Sequence, residues 1–103
     1  MSNLIKSQKQ INLIKQSGRI LAKTLRVLKE HADVGVNLME LEELARKTIV
    51  ENGGKPAFLG YQPKGAKKAY PAALCTSIND VIVHGVPHDY VLQSGDILSL
   101  DLG

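Results

Sequence analysis

Three side chains stand where their type and neighbours could support chemistry. Asp101 follows Ile97-Leu98-Ser99-Leu100, an almost continuous apolar run. A carboxylate buried there without a partner is strongly unfavourable, so Asp101 faces solvent at a strand end, meets a cation, or binds a metal. The residues alone leave those three open. His84 closes the β-branched run Val81-Ile82-Val83 and precedes Gly85, a setting that presents an imidazole either to a backbone partner or to a ligand. Cys75 lies in the middle of Ala72–Ile78, where a buried, inert thiol is the plain reading. His31 and His88 read as surface residues. The chain has one Phe, three Tyr and no Trp, and Phe58, Tyr61 and Tyr70 fall close together in one stretch. That clustering points to a site more than to a uniform core. No Cys-X-X-Cys or Cys-His spacing supports a zinc site, and no nucleophile elbow supports a serine triad. Gly53-Gly54-Lys55 lacks the spacing of a phosphate loop.

The elements that must hold these residues are partly legible. Ser7 with Gln10 forms a capping-box signature. Ile11, Ile14, Leu21, Leu25 and Leu28 then trace one helical stripe around Gly18, which reads as a point of close packing. Lysines and arginines fill the other faces and read as a solvated surface. After Asp33-Val34-Gly35-Val36, Asn37 caps a second helix whose buried stripe is Leu38, Leu41, Leu44, Ala45, Thr48 and Ile49. Glu40, Glu42 and Glu43 sit early in it, where acidic groups suit the helix dipole. Asn52-Gly53-Gly54 stops it. Beyond Pro56 the pattern shifts to strands: Ala57-Phe58-Leu59, Ala72–Ile78, a short run at Val81-Ile82-Val83, and Ile97–Leu102. A polar loop, Gln62–Ala69, carries Lys64, Lys67 and Lys68, and Asn79-Asp80 is a turn. The expected class is α+β, with two helices on three or four strands. A strand as apolar as the last one belongs in a sheet interior, so 1–103 reads as a single incomplete domain with open sheet edges.

Composition narrows the function classes. The chain has 103 residues, 44% hydrophobic and 22% charged, with a formal net charge of +3. That is enough apolar material to fold and too weak a charge to argue for nucleic-acid binding. A single cysteine excludes an internal disulfide and fits a reducing compartment. No apolar run approaches the length of a membrane span, and the first six residues lack a signal-peptide core. A soluble cytoplasmic protein is the expectation.

Taken together, the motifs resemble a known family. Leu59-Gly60-Tyr61, Tyr70 through Pro87 and Gly95 through Asp101 closely resemble type I methionine aminopeptidases. Within these runs are Ser77-Ile78-Asn79-Asp80, His84-Gly85-Val86-Pro87 and Gly95-Asp96-Ile97-Leu98-Ser99-Leu100-Asp101. Gln16-Ser17-Gly18-Arg19 and Gly35-Val36 with Leu41-Glu42 agree upstream, so the resemblance covers essentially the whole chain.

The resemblance implies the N-terminal half of a pita-bread fold, two helices packed on part of a curved, mostly antiparallel sheet. It implies removal of the initiator methionine from nascent polypeptides by hydrolysis at two divalent metal ions (Mn, Fe, Co or Zn) held by two Asp, one His and two Glu. By position, Asp101 matches the first metal-ligand Asp. His84 matches a histidine that hydrogen-bonds substrate near the scissile amide. Tyr61, Tyr70 and Cys75 match the lining of the methionine pocket, and soft, aromatic and sulfur surroundings suit a thioether. Phe58 falls where the family often has a smaller residue near that pocket.

The other four metal ligands belong beyond Asp101, the first of them about ten residues on, and none of those positions lies in this chain. The 103 residues alone are therefore expected to be inactive, and poorly soluble or oligomeric. Full-length members of the family are usually monomeric. The basic loop and basic first helix leave the ribosome open as a partner. Two other readings stand beside this one: a non-catalytic binding module that needs a complementing chain, and another pita-bread hydrolase such as a proline-specific peptidase. Intact His84 and Asp101 argue against the first, and a helix beginning within ten residues of Met1 argues against the second.

Overall fold

The computed structural model describes residues 4–103. Its elements are helices α1 (Gln8–His31) and α2 (Leu38–Glu51) and strands β1 (Leu74–Ile78) and β2 (Leu98–Leu102). Helix α1 begins at the expected capping box: the Gln10 amide donates to Ser7 Oγ at 3.2 Å, and the Ser7 amide donates to Gln10 Oε1 at 2.8 Å. Only its second half packs on the rest of the molecule. Thr24 and Leu28 are buried and Leu21 and Leu25 lie against the core, whereas Ile11 and Ile14 are 37% and 56% exposed. The apolar stripe read from the sequence thus meets a partner only from Leu21 onward. Gly18 is not a packing point, since a methyl group there would meet nothing within 4 Å.

Helix α2 behaves as its sequence dictates. Asn37 Oδ1 accepts from the Met39 amide at 3.0 Å, and Asn37 Nδ2 donates to Asp89 at 2.7 Å. The helix ends in a Schellman motif, with Gly54 donating to Ile49 and Gly53 to Val50. The reversal needs a left-handed residue, and Gly53 supplies it at φ +86°. Leu38, Leu41, Ala45, Thr48 and Ile49 are buried as expected, but so is Glu42, at 2% exposure.

Strands β1 and β2 pair antiparallel, with Leu74 opposite Leu102, Cys75 opposite Asp101, Thr76 opposite Leu100 and Ile78 opposite Leu98. Alternation along a strand sorts the side chains by face. Leu74, Ile78 and Leu102 join Leu28, Leu38, Leu41, Ala45, Ile49 and Leu92 in one core against the helices. Cys75, Ser77, Ser99 and Asp101 take the opposite face.

Thr76 points with the core set, and its buried Oγ1 has no hydrogen-bond partner. An orphaned hydroxyl is unfavourable, and valine keeps its shape without it. Thr76→Val is therefore expected to raise stability by about 1 kcal/mol. This is read as an upward shift of the urea midpoint at unchanged m-value.

The sheet is smaller than expected, two strands where three or four were read. Ala57-Phe58-Leu59 is a turn, with the Tyr61 amide donating back to Phe58 at 3.0 Å. Pro56 just before it has no amide to enter a ladder, and Gly60, at φ +81°, curls the chain just after it. Ala72-Ala73 is buried but unpaired in the sheet, because a side chain of α2 takes the Ala73 amide. Val81-Ile82-Val83 is irregular and exposed, at 45%, 86% and 63%. It begins in a turn closed by Val81 on Ile78, so its β-branched composition finds no strand to pair with. Ile97 is left out of β2, since its amide and carbonyl are both bound by Asn79.

That bond belongs to a polar knot before β2. Asp96 accepts from the Gln93 amide and the Tyr90 hydroxyl, both at 2.8 Å, and from Asn79 Nδ2 at 3.1 Å. The Gln93 amide foremost, then Asn79 and Tyr90, hold the Asp96 carboxyl below its usual range. Among the described residues, no helix is long and apolar enough to cross a membrane.

Candidate functional site

On the sheet face away from the helices lies a pocket of about 460 Å³. Phe58, Tyr61, Tyr70, Cys75, His84 and Asp101 all line it. Every site residue singled out from the sequence is therefore brought to one place. Cys75 and Asp101 meet there because they are opposite partners on β1 and β2.

The aromatic wall is built by a flap. The Gly60 amide donates to Tyr70 at 2.9 Å and the Tyr70 amide to Tyr61 at 2.7 Å, closing the loop between them into a narrow hairpin. Its tip is held by Ala66 on Pro63 and by Gln62 Nε2 on the Ala66 carbonyl. Phe58 meets Tyr70 edge to face, with centroids 6.5 Å apart and planes at 89°, the geometry that aromatic quadrupoles favour. Phe58 thus stays in the pocket wall. The flap also brings Lys68, Pro63, Ala66 and Ala69 to the mouth. The sequence reading placed these in a polar loop, and only the hairpin closure turns them toward the cavity.

Tyr70 joins three parts of the site. Its hydroxyl lies 3.0 Å from the Leu74 carbonyl and 3.1 Å from the Gly85 carbonyl. Burial foremost, then Cys75 and the negative charges of Glu42 and Asp101, pushes the phenol well above its usual range, so it stays a neutral donor.

The segment carrying His84 is drawn against β1 by two further bonds. The Thr76 amide donates to Gly85 at 2.7 Å, and the Gly85 amide donates to Ser77 Oγ at 3.1 Å. Approach is so close that a methyl group on Gly85 would collide with the Thr76 carbonyl oxygen and lie 2.8 Å from Ser77 Cα. His84 is exposed and takes φ +58°, an uncommon backbone conformation for a residue with a side chain. It leaves the imidazole in the pocket wall.

The sequence reading missed the group that fixes this wall from behind. Glu42 Oε2 and Oε1 accept from the Ala73 and Leu74 amides, each at 2.9 Å. Arg46 pairs with Glu42 and donates to the Pro71 carbonyl at 3.2 Å. A signal was present: Glu42 sits in the row Leu38, Glu42, Ala45, Ile49, a core position by helical spacing.

A metal centre was expected around Asp101. Its carboxylate is exposed in the pocket wall and is a suitable hard donor for a divalent ion. It stands alone, however: among the described residues no group of three or more His, Cys, Asp or Glu could hold a metal ion. These residues do not by themselves fit a two-ion centre.

The model of metallopeptidase family M24 matches residues 12–103. The chain belongs to this family. Among M24 relatives, methionine aminopeptidase of Aquifex aeolicus is 45% identical over 98 residues, and that of Helicobacter pylori is 40% identical over 103 residues. The chain spans about 38% of the length of these curated relatives. Solved M24 structures agree. A streptococcal methionine aminopeptidase superposes with a TM-score of 0.86 at 34% identity, covering 95% of this chain and 35% of that one. The Thermotoga maritima enzyme superposes with a TM-score of 0.86 at 32% identity, covering 95% and 37%. The two helices and the antiparallel pair are thus part of a pita-bread fold.

Proposed function

We propose that these residues form the methionine-recognising wall of a methionine aminopeptidase that removes the initiator methionine from nascent polypeptides. The observation that carries this reading is the convergence of Phe58, Tyr61, Tyr70, Cys75, His84 and Asp101 on one pocket. Relatives bearing that name and aligning along almost the whole chain support it.

The apolar and aromatic wall with one thiol would take the methionine side chain, since a thioether packs well on aromatic edges and sulfur. The neutral Tyr70 hydroxyl, occupied by two carbonyls, shapes that wall without offering a charge. His84 is assigned to hydrogen-bond the substrate near the scissile amide, and Asp101 to donate to one divalent cation. The remaining donors would have to come from outside these residues. In this reading 1–103 is one incomplete domain, the N-terminal half of a cytoplasmic catalytic unit. Its exposed apolar residues, such as Ile82 and Ile97 at 86% and 72%, are the face assigned to the other half.

The test is methionine release from Met-Ala-Ser by the product of the complete coding sequence, with Leu-Ala-Ser as control and with divalent cations added one at a time. Cation-dependent release of methionine is expected, and none from the 103 residues alone, because one carboxylate cannot hold the metal centre. A correctly folded complete product that releases none with any cation would falsify the reading.

A further inference from the structure

The carboxylate of Glu42 is almost fully buried, yet it touches neither the pocket nor any group expected to react. Both of its oxygens accept consecutive backbone amides, Ala73 and Leu74, at the point where the chain leaves the flap and becomes β1. Arg46, one turn further along α2, neutralises the charge and adds a bond to the carbonyl of Pro71. Three consecutive peptide groups after Tyr70 are thus engaged by one helix.

On one side of that grip is Tyr70, with its ring in the pocket. On the other are Leu74, whose carbonyl takes the Tyr70 hydroxyl, and Cys75, whose side chain lines the same pocket. A carboxylate can accept both amides. An amide side chain of the same shape can accept one and must turn an N–H toward the other. Backbone registration by a buried charge is therefore sensitive to the charge itself and not only to the volume it fills.

We propose that Glu42, held by Arg46, is a positioning residue for side-chain recognition: it sets how far Tyr70 and Cys75 protrude into the pocket, and through them the preference for methionine. This rests on the aminopeptidase reading for what the pocket binds, but not for the positioning itself.

The experiment compares Glu42→Gln with the wild type in the product of the complete coding sequence, by two readouts. The first is the ratio of kcat/KM for Met-Ala-Ser to that for Leu-Ala-Ser. This ratio does not depend on how much of the protein is active, so a loss of folded enzyme leaves it unmoved, whereas a shifted wall changes it. A fall of about tenfold is expected, carried by KM more than by kcat, in keeping with what one misplaced contact in an apolar pocket does to discrimination. The second is the alkylation rate of Cys75, followed by mass spectrometry of its peptide. That rate is expected to exceed the one seen in Leu28→Ala, a core variant on the helix side that reports destabilisation alone.

If Glu42→Gln does not fold, Arg46→Gln takes its place: from an exposed position it removes the partner that holds the Glu42 carboxylate on the two amides and the bond to Pro71, and a smaller fall in the same ratio is expected. Glu42→Asp is expected to recover part of the selectivity. An unchanged ratio in a folded variant overturns the proposal. If the wild type releases no methionine, the functional reading fails on its own, and the positioning claim is decided by Cys75: alkylation no faster than in Leu28→Ala overturns it.

Discussion

Asp101→Asn is expected to lower cation-dependent methionine release by the complete protein more than about 100-fold, with a thermal midpoint within about 2 °C of the wild type. The separation between the two effects is what makes the experiment informative. Asn has nearly the shape of Asp. Asp101 is exposed, and its backbone is held by pairing with Cys75, which the substitution leaves alone. Little folding energy is therefore at stake.

The lost charge matters only if the carboxylate serves a cation in the pocket, where an amide oxygen is a much poorer donor to a hard ion. Calorimetric titration with Mn²⁺ gives a readout independent of turnover, and weaker binding should accompany the lost activity. Full activity in Asp101→Asn would remove this residue from the metal centre, and with it the positional match on which the assignment rests.

Gly85→Ala is expected to cost about 3 kcal/mol of stability, at the upper end of overpacking effects, read from the urea midpoint. The obstacle is backbone and not a side chain that could swing away: the added methyl group collides with the Thr76 carbonyl and crowds Ser77 Cα. Relief requires the segment to lift off β1. That breaks the bond from the Thr76 amide, the bond to Ser77 Oγ and the contact from the Tyr70 hydroxyl. Because His84 and Val86 both line the pocket on either side of Gly85, recognition should fail together with stability. Gly85 has no left-handed φ, unlike Gly53, so close approach is the whole reason for glycine here. A tolerated alanine would show that the segment does not dock on β1 in solution.

Local chemistry makes much of this molecule legible in its sequence. Both helices, their caps and the glycine stop of α2 follow from short-range bonds between residues a few positions apart, so Ser7, Gln10, Asn37 and Gly53 announce them. The apolar runs around Cys75 and before Asp101 announce the two strands in the same way. Residue types alone marked an aromatic cluster and left His84, Cys75 and Asp101 open; the family resemblance joined them into one candidate set, and the fold brings that set to one cavity.

What the tertiary structure decided depends on distant partners. Val81-Ile82-Val83 has strand-like composition but no neighbour to complete a ladder, and Ala57-Phe58-Leu59 bonds a distant segment only through the Ala57 amide to the Gly103 carbonyl; composition cannot supply the rest. Ile11 and Ile14 continue the stripe, yet among the described residues they stay exposed. Glu42 looked like an ordinary early-turn carboxylate until the amides of Ala73 and Leu74, about thirty positions away, were seen closing on it. The sequence by itself determined the elements and the chemical inventory, because those rest on neighbours along the chain. Only the three-dimensional fold decided the pocket, the close approach at Gly85 and the buried grip of Glu42, because each is a contact between segments whose distance apart no local pattern encodes.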